Sequence, residues 1–226
     1  MTLIKKYDFV EIEYTGKLKE EGIIFDTTME KVAKENGIYD KHSDYAPLTI
    51  CVGENHILKG LEDQLIGKEV GKDFTIDISS ENAFGKKDAR LIQLIPFSRF
   101  RQQKIQPFPG LQLNIDGVFG VVKTVSGGRC LVDFNHPLSG KDLIYTVKVH
   151  RIVEDKKEMI SCLIKMHFHI KDAEIEINDG SAEITLKQAV PLQEEFKSKV
   201  KRILPEIKSV NFTIPEERKQ INLNSS

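Results

Sequence analysis

Three cysteines in 226 residues are too few, and an odd number, for a disulfide framework. Cys51, Cys130 and Cys162 instead fit a reducing, cytoplasmic setting. No run approaches the roughly 18 consecutive apolar residues that a membrane-crossing helix needs. Met1–Lys6 reaches its lysines with no apolar stretch behind them, so no secretory signal is expected. Charge of either sign is not in excess: 33 basic against 34 acidic residues leave a net charge of −1, which gives no electrostatic case for nucleic-acid binding. The tail from Lys208 to Ser226 holds neither histidine nor cysteine. His167 and His169, with Cys162, do not make a closed ligand set, so no metal and no other cofactor is expected. What remains is a globular composition, 40% hydrophobic and 30% charged, long enough for one large domain or two to three small ones.

Alternation dominates the first 85 residues. Phe9, Glu11 and Glu13 fall on one side of a predicted strand, and Val10, Ile12 and Tyr14 on the other. Glu20-Glu21-Gly22 turns the chain into a short strand at Ile23–Phe25. Residues 27–46 are polar and irregular and read as a surface excursion, with a short helix expected around Lys31–Glu35. Leu48–Val52 is a β run closed by Gly53. Ile57, Leu58, Leu61 and Leu65 then have helical spacing up to Gly67, and Phe74, Ile76 and Ile78 alternate again. Antiparallel strands with one short helix make an α+β pattern.

The texture changes near Lys87. Short β runs at Leu111–Ile115, Gly117–Val125 and Arg129–Phe134 follow a region dense in apolar residues, and the earlier alternation returns at Tyr145–Val149. A core strand that returns late predicts a small domain, 87–133, inserted into a larger one, 1–86 with 134–154. Beyond a charged linker, Glu154–Glu158, the chain reads α-β-β-α-β over 155–226. Asp179-Gly180 between two alternating runs predicts a hairpin, and Leu192–Ile207 an amphipathic helix. About 60 ordered residues make a marginal core, so self-association through 155–226, as a homodimer, is expected.

Five segments carry a resemblance. Val10–Leu18, Gly22–Thr28, Val52–Glu62, Ala83-Phe84-Gly85 and Asn135–Leu143 resemble the pattern of the FK506-binding (FKBP) superfamily of peptidyl-prolyl cis/trans isomerases, in its SlyD-like form. The segments stand in the family's order over residues 5–154. The resemblance implies an antiparallel half-barrel sheet with a short helix and an inserted β-rich flap with chaperone function; the C-terminal α-β-β-α-β domain read above lies beyond it. It also implies unfolded or proline-containing polypeptides as partners, with neither nucleic acid nor membrane.

The chemistry asked of such a protein is modest. Rotation about an X-Pro bond must break amide resonance, a barrier of about 18–20 kcal/mol. The twisted transition state is less polar than the planar amide, so a dry apolar hollow binds it better than the ground state. By resemblance, the catalytic residues are Tyr14, Phe25, Asp26, Leu58, Phe84 and Tyr145, and Leu48, Ile57, Leu61, Ala83, His136 and Leu138 contact substrate. Leu61 forms the floor in place of the family's common tryptophan, and Phe84 replaces its usual tyrosine. The Leu58 backbone N–H, at a helix start, is the donor to a substrate carbonyl. Leu91, Ile92, Leu94, Ile95, Phe97, Phe100, Ile105 and Phe108 form the flap's client-binding face. Each apolar residue taken alone reads equally as ordinary core, and Asp26 as a turn residue. The two departures keep a second reading open: a holdase or binding module with weak or no isomerase activity.

Overall fold

A computed structural model describes residues 2–115 and 117–214; the end of the tail from 215 on lies outside the described residues. In chain order the elements are β1 (Phe9–Leu18), β2 (Ile24–Thr27), α1 (Glu30–Glu35), β3 (Leu48–Cys51), α2 (Lys59–Leu65), β4 (Asp73–Ile78), β5 (Ile92–Pro96), α3 (Phe97–Gln102), β6 (Gln112–Ile115), β7 (Val118–Ser126), β8 (Arg129–Asp133), β9 (Leu143–Val153), α4 (Lys156–Phe168), β10 (Glu174–Asn178), β11 (Ser181–Thr185), α5 (Gln193–Ile203) and β12 (Ser209–Thr213). Two short 3-10 turns precede β5. The fold class is α+β. The chain divides into two compact units, one of Met1–Gly16, Ile24–Ile76 and Tyr145–Ser226, the other of Lys17–Ile23 and Asp77–Ile144.

The first unit is organised by a sheet in the order β2-β1-β9-β4, with β3 pairing antiparallel to β1 from Phe9↔Cys51 to Ile12↔Leu48. The late-returning strand β9 is therefore central, which is why Val147, Val149 and Val153 are wholly buried. A second sheet, β10-β11-β12, carries the tail. Its hairpin turns at Asp179 and Gly180, whose φ angles are both positive (49° and 79°), as a tight two-residue turn requires. β12 pairs with β11 in parallel, a crossover made through α5.

Two boundaries differ from the expectation. Glu154–Glu158 is not a free linker: only two residues separate β9 from α4, and the Asp155 carboxylate accepts from the Glu158 backbone N–H at 2.8 Å as a helix N-cap. α5 stops at Ile203 rather than Ile207, because Pro205 disfavours helical backbone at Leu204 (φ −122°, ψ 75°). Leu204 and Ile207 remain buried all the same.

The tail shares its core with the sheet. Ile160, Leu163 and Ile164 of α4, Ala182 and Ile184 of β11, and Phe196 and Val200 of α5 join Phe9, Cys51 and Val153 in one apolar cluster. Polar contacts lock the same faces. The Cys162 thiol reaches the Thr49 carbonyl at 3.2 Å, and Arg202 donates twice to Glu54, at 2.7 and 2.9 Å. A lone tail of this size is marginal; here part of its apolar surface packs against the strands of its own unit, while Leu192 stays 64% exposed.

The second unit has a four-stranded antiparallel sheet in the order β5-β8-β7-β6, with a bulge between Val122 and Thr124. Against this sheet a small cluster is buried, Phe100, Leu113, Val122, Cys130 and Val132, with Ile95, Phe97 and Ile105 partly buried against it.

Candidate active site

The site grows from the pairing of β1 with β2. The Tyr14 backbone N–H donates to the Thr28 hydroxyl at 2.9 Å, the Thr28 N–H donates to the Tyr14 carbonyl at 3.0 Å, and the Thr27 hydroxyl donates to the same carbonyl at 3.1 Å. These bonds hold the end of β2 in register, so that Asp26 faces Tyr14. The Tyr14 hydroxyl and the Thr27 backbone N–H both donate to the Asp26 carboxylate. Burial nevertheless pushes that carboxyl above its ordinary value, since desolvation outweighs the two bonds. Burial, and then the Asp26 charge, push the Tyr14 and Tyr145 phenols well above theirs, so both hydroxyls stay protonated at neutral pH.

The aromatic rings close round this pair. Tyr145, from β9 and only 3% exposed, lies 5.7 Å from the Tyr14 ring and 5.9 Å, edge-on, from Phe25. The rings sit directly on the backbone of Gly16: a Cβ there would come within 2.7 Å of Tyr145 and 3.0 Å of Phe25. Residue 16 is glycine because an aromatic wall occupies the space of a side chain.

A cavity of about 440 Å³ opens beside these groups. It brings Tyr14, Phe25, Asp26 and Leu48 together and adds Thr27, Thr28, Ile38, the stretch Ser43–Pro47, and Lys165 from α4. Its described lining does not include Tyr145, Ile57, Leu58 or Leu61. Leu61 is 1% exposed, within the core, while Ile57 and Leu58 are half-buried at the start of α2, with Leu58 the residue that precedes its first turn. Their turn is braced by His56 and Glu62. His56 Nδ1 accepts from the Cys51 N–H at 3.0 Å, and the buried Glu62 carboxylate accepts from the Asn55 and His56 N–H groups. Burial depresses the His56 imidazole to about 4.

The remaining residues belong to the second unit. Phe84 stacks on the exposed His136 ring at 4.4 Å, with the planes 3° apart. The Ser139 hydroxyl donates to the Phe84 carbonyl at 3.1 Å, and the Leu138 N–H donates to His136 Nδ1 at 3.2 Å. Ala83 and Leu138 are half-buried. Among the apolar residues of 87–133, Phe100 is in the core, and Ile92, Ile95, Phe97 and Ile105 are half-buried. Leu91, Leu94 and Phe108 are exposed, by 41%, 61% and 57%, and Val118 and Phe119 of β7 add to that exposed set. Neither of the last two stood out in the sequence, because both fall in a run that reads as an ordinary strand. Lys165 and Ile38 gave no signal either: they reach the cavity from far along the chain.

His167 is on α4 and His169 ends it in a left-handed conformation, so the two do not share a strand face. Among the described residues no group of three or more His, Cys, Asp or Glu side chains could hold a metal ion. No helix among them is long and apolar enough to cross a membrane.

The chain is 37% identical over 158 residues to a short-type peptidyl-prolyl cis-trans isomerase of Methanocaldococcus jannaschii, covering 70% of this chain and 99% of the relative. The chain belongs to the FKBP-type peptidyl-prolyl cis-trans isomerase family. A family model for FKBP-type peptidyl-prolyl cis-trans isomerase matches residues 2–99, and one for FKBP26, IF domain, matches 93–138. SlyD of Escherichia coli is 30% identical over 149 residues, 63% of this chain and 72% of that protein, and SlyD of Vibrio cholerae 28% over 158 residues, 68% and 76%. As an FKBP-type isomerase of the SlyD-like kind the protein acts on polypeptides. Residues 155–214 lie outside both family models.

Proposed function

We propose that the X-Pro bond is turned in the cavity bounded by Tyr14, Phe25, Asp26 and Leu48, and that the exposed apolar residues of 87–133 hold the unfolded chain that carries it. The observation that carries the first half is the Tyr14–Asp26 pair, two polar groups satisfied by each other at the edge of an aromatic hollow. A proline ring packs against Phe25, Tyr14 and Leu48. Its twisted amide carbonyl, less polar than the planar one, loses less on leaving water. No covalent step occurs, so no nucleophile is needed. The Leu58 backbone N–H orients the substrate carbonyl, with Ile57, Leu61 and Tyr145 as support; in the second unit, taken by itself, Ala83, Phe84, His136 and Leu138 are substrate contacts.

Leu91, Leu94 and Phe108 support the second half, since exposed apolar groups bind extended chains with little sequence preference. Capture raises the concentration of prolines near the cavity, to about mM for a short tether. In this reading 1–86 with 134–154 is the isomerase domain, 87–133 the chaperone flap, and 155–226 a domain that joins two copies. The three unpaired, buried cysteines agree with a reducing cytoplasm.

The experiment is a pair of assays, turnover of a proline tetrapeptide and refolding of a proline-limited protein. Asp26→Ala with Phe84→Ala lowers both, by about tenfold or more if one charge-assisted contact of about 1.5–3 kcal/mol is lost. Leu94→Ser with Phe108→Ser lowers only the refolding assay. Unchanged peptide turnover in the first variant would overturn the site assignment. A light-scattering mass equal to one chain at micromolar concentration would overturn the dimer.

A further inference from the structure

The cavity wall includes one residue that the family models do not reach. α4 is fixed against β3 by the buried side chains of Ile160, Leu163 and Ile164 and by the Cys162 contact to Thr49. One turn further along, Lys165 lines the cavity. It faces the stretch Ser43–Pro47, which is itself well braced. The Asp40 N–H donates to the Tyr45 hydroxyl at 2.9 Å, that hydroxyl donates to the Ile38 carbonyl at 3.4 Å, and the Tyr39 and Tyr45 rings stack at 5.4 Å.

Two lysines share one carboxylate on this wall. Asp44 pairs with Lys171 at 2.5 Å, and the Lys165 ammonium stands 3.9 Å from the same carboxylate. The closer lysine is the larger influence holding Asp44 in its charged form. Lys171 holds Asp44 at the shorter distance and lies outside the described lining, so Lys165 is the lining cation whose carboxylate partner is already claimed by another lysine. Asp26, the other carboxylate of the cavity, keeps its charge but is held toward the Tyr14 hydroxyl and the Thr27 N–H rather than toward Lys165.

We infer that Lys165 is a specificity-determining residue of the isomerase, selecting polypeptides with an acidic side chain next to the proline. This rests on the cavity being the site of isomerisation. It makes the C-terminal region part of the substrate site rather than an appendage.

The test is a matched peptide series with Glu, Gln or Lys on either side of proline, assayed at low salt with the full-length chain. The wild type turns over Glu peptides faster than Gln peptides at one of the two positions, and Lys peptides more slowly. Lys165→Glu lowers the Glu-to-Gln ratio of kcat/KM about 2- to 30-fold, since one exposed pair is worth about 0.2–1 kcal/mol and reversal counts it twice. Lys165→Gln lowers it by about half as much on a logarithmic scale, and added salt erases the preference. The ratio cancels any general disturbance of the Ser43–Pro47 stretch. A ratio that is the same in wild type and Lys165→Glu at both positions overturns the inference. Asp26→Ala in the same series keeps the two readings apart. If it loses turnover while the Lys165 ratio stays flat, only the specificity role falls; if it turns over every peptide like wild type, the cavity reading falls.

Discussion

The two units use apolar side chains in opposite ways. In the first, aromatic rings close on a hydrogen-bonded pair and are themselves mostly enclosed: Tyr145 is 3% exposed and packs on the Gly16 backbone. In the second, the buried cluster round Phe100 and Val132 leaves Leu94 and Phe108 more than half exposed. A hollow that must favour one geometry of one bond needs fixed walls, and fixed walls need dense packing. A surface that holds many unrelated chains needs accessible apolar area and no fixed shape. In the function proposed above, the same composition of Leu, Ile and Phe serves selection in one place and capture in the other, and burial, not residue type, separates the two roles.

Acid should break the two units at different pH values, and this is the largest effect expected. In the first unit His56 takes up its proton near 4, whereas an unfolded histidine does so near 6.5. Between those values the unfolded chain holds the extra proton, so stability falls as pH falls from about 6.5 to 4, by about 3 kcal/mol at most. In the second unit Asp133 is held down at about 2 despite its burial, by the Asn135 side chain, Lys87 and the Asn135 N–H. Its stabilisation is full above the unfolded carboxyl value near 4 and is lost as pH falls from there toward 2, by roughly 2 kcal/mol. Hydrogen exchange at Cys51 should accelerate in the upper window and at Val132 only in the lower one. His56→Gln should flatten the upper window alone. Simultaneous loss of protection at both amides would show that the two transitions do not belong to separate units.

A matched pair of glycines sharpens the same contrast. Gly16 supports the Tyr145 and Phe25 rings, and Gly120 on β7 supports Phe134, whose ring a Cβ would approach to 2.7 Å. Overpacking of this kind costs about 1–3 kcal/mol, so Gly16→Ala and Gly120→Ala should destabilise their own units comparably. Their functional cost should differ. Gly16→Ala displaces cavity walls and lowers peptide turnover about tenfold, the effect of a loss near 1.4 kcal/mol. Gly120→Ala leaves peptide turnover near wild type and weakens capture of an unfolded protein. Equal losses of peptide turnover in the two variants would contradict the division of roles.

Much of the fold was legible because its signals are local. The Asp179-Gly180 turn, the alternation along β1 and β9, and the helical spacing from Leu58 to Leu65 each lie within a dozen residues. The errors were also local but involved competing rules. Helical periodicity carried α5 four residues too far because buried Leu204 and Ile207 keep the apolar rhythm after Pro205 has ended the helix. A run of charges read as a linker contains the N-cap of α4, since Asp155 serves equally as a solvated charge or a cap. The parallel pairing of β12 with β11 was not legible, because it depends on how α5 returns the chain. Of the cavity, Tyr14, Phe25 and Asp26 stood in the family's segments and Leu48 in the β run before the third, whereas Ile38, Tyr45 and Lys165 join it only through tertiary packing. No rule of spacing reaches from residue 26 to residue 165.

The smallest expected effects contrast ion pairs rather than apolar groups. Lys87 pairs at 2.9 Å with Asp133, whose side chain is 6% exposed and also receives the Asn135 side-chain amide at 2.8 Å. Lys87→Met removes the nearer cation from a buried charge, leaving Lys123 at 4.0 Å and the Asn135 donors, which costs about 1–3 kcal/mol, less than a fully buried pair because the lysine is itself half in water. In the first unit Lys31 stands 3.9 Å from Glu35 on the surface of α1, with both side chains more than half exposed. Lys31→Met should change stability by no more than about 0.5 kcal/mol, since the charges are already solvated and nothing is stranded. Denaturant midpoints for the two variants measure the difference directly. If Lys31→Met costs as much as Lys87→Met, exposure is not what sets the worth of these pairs, and the ranking of acid effects drawn from Asp133 fails with it.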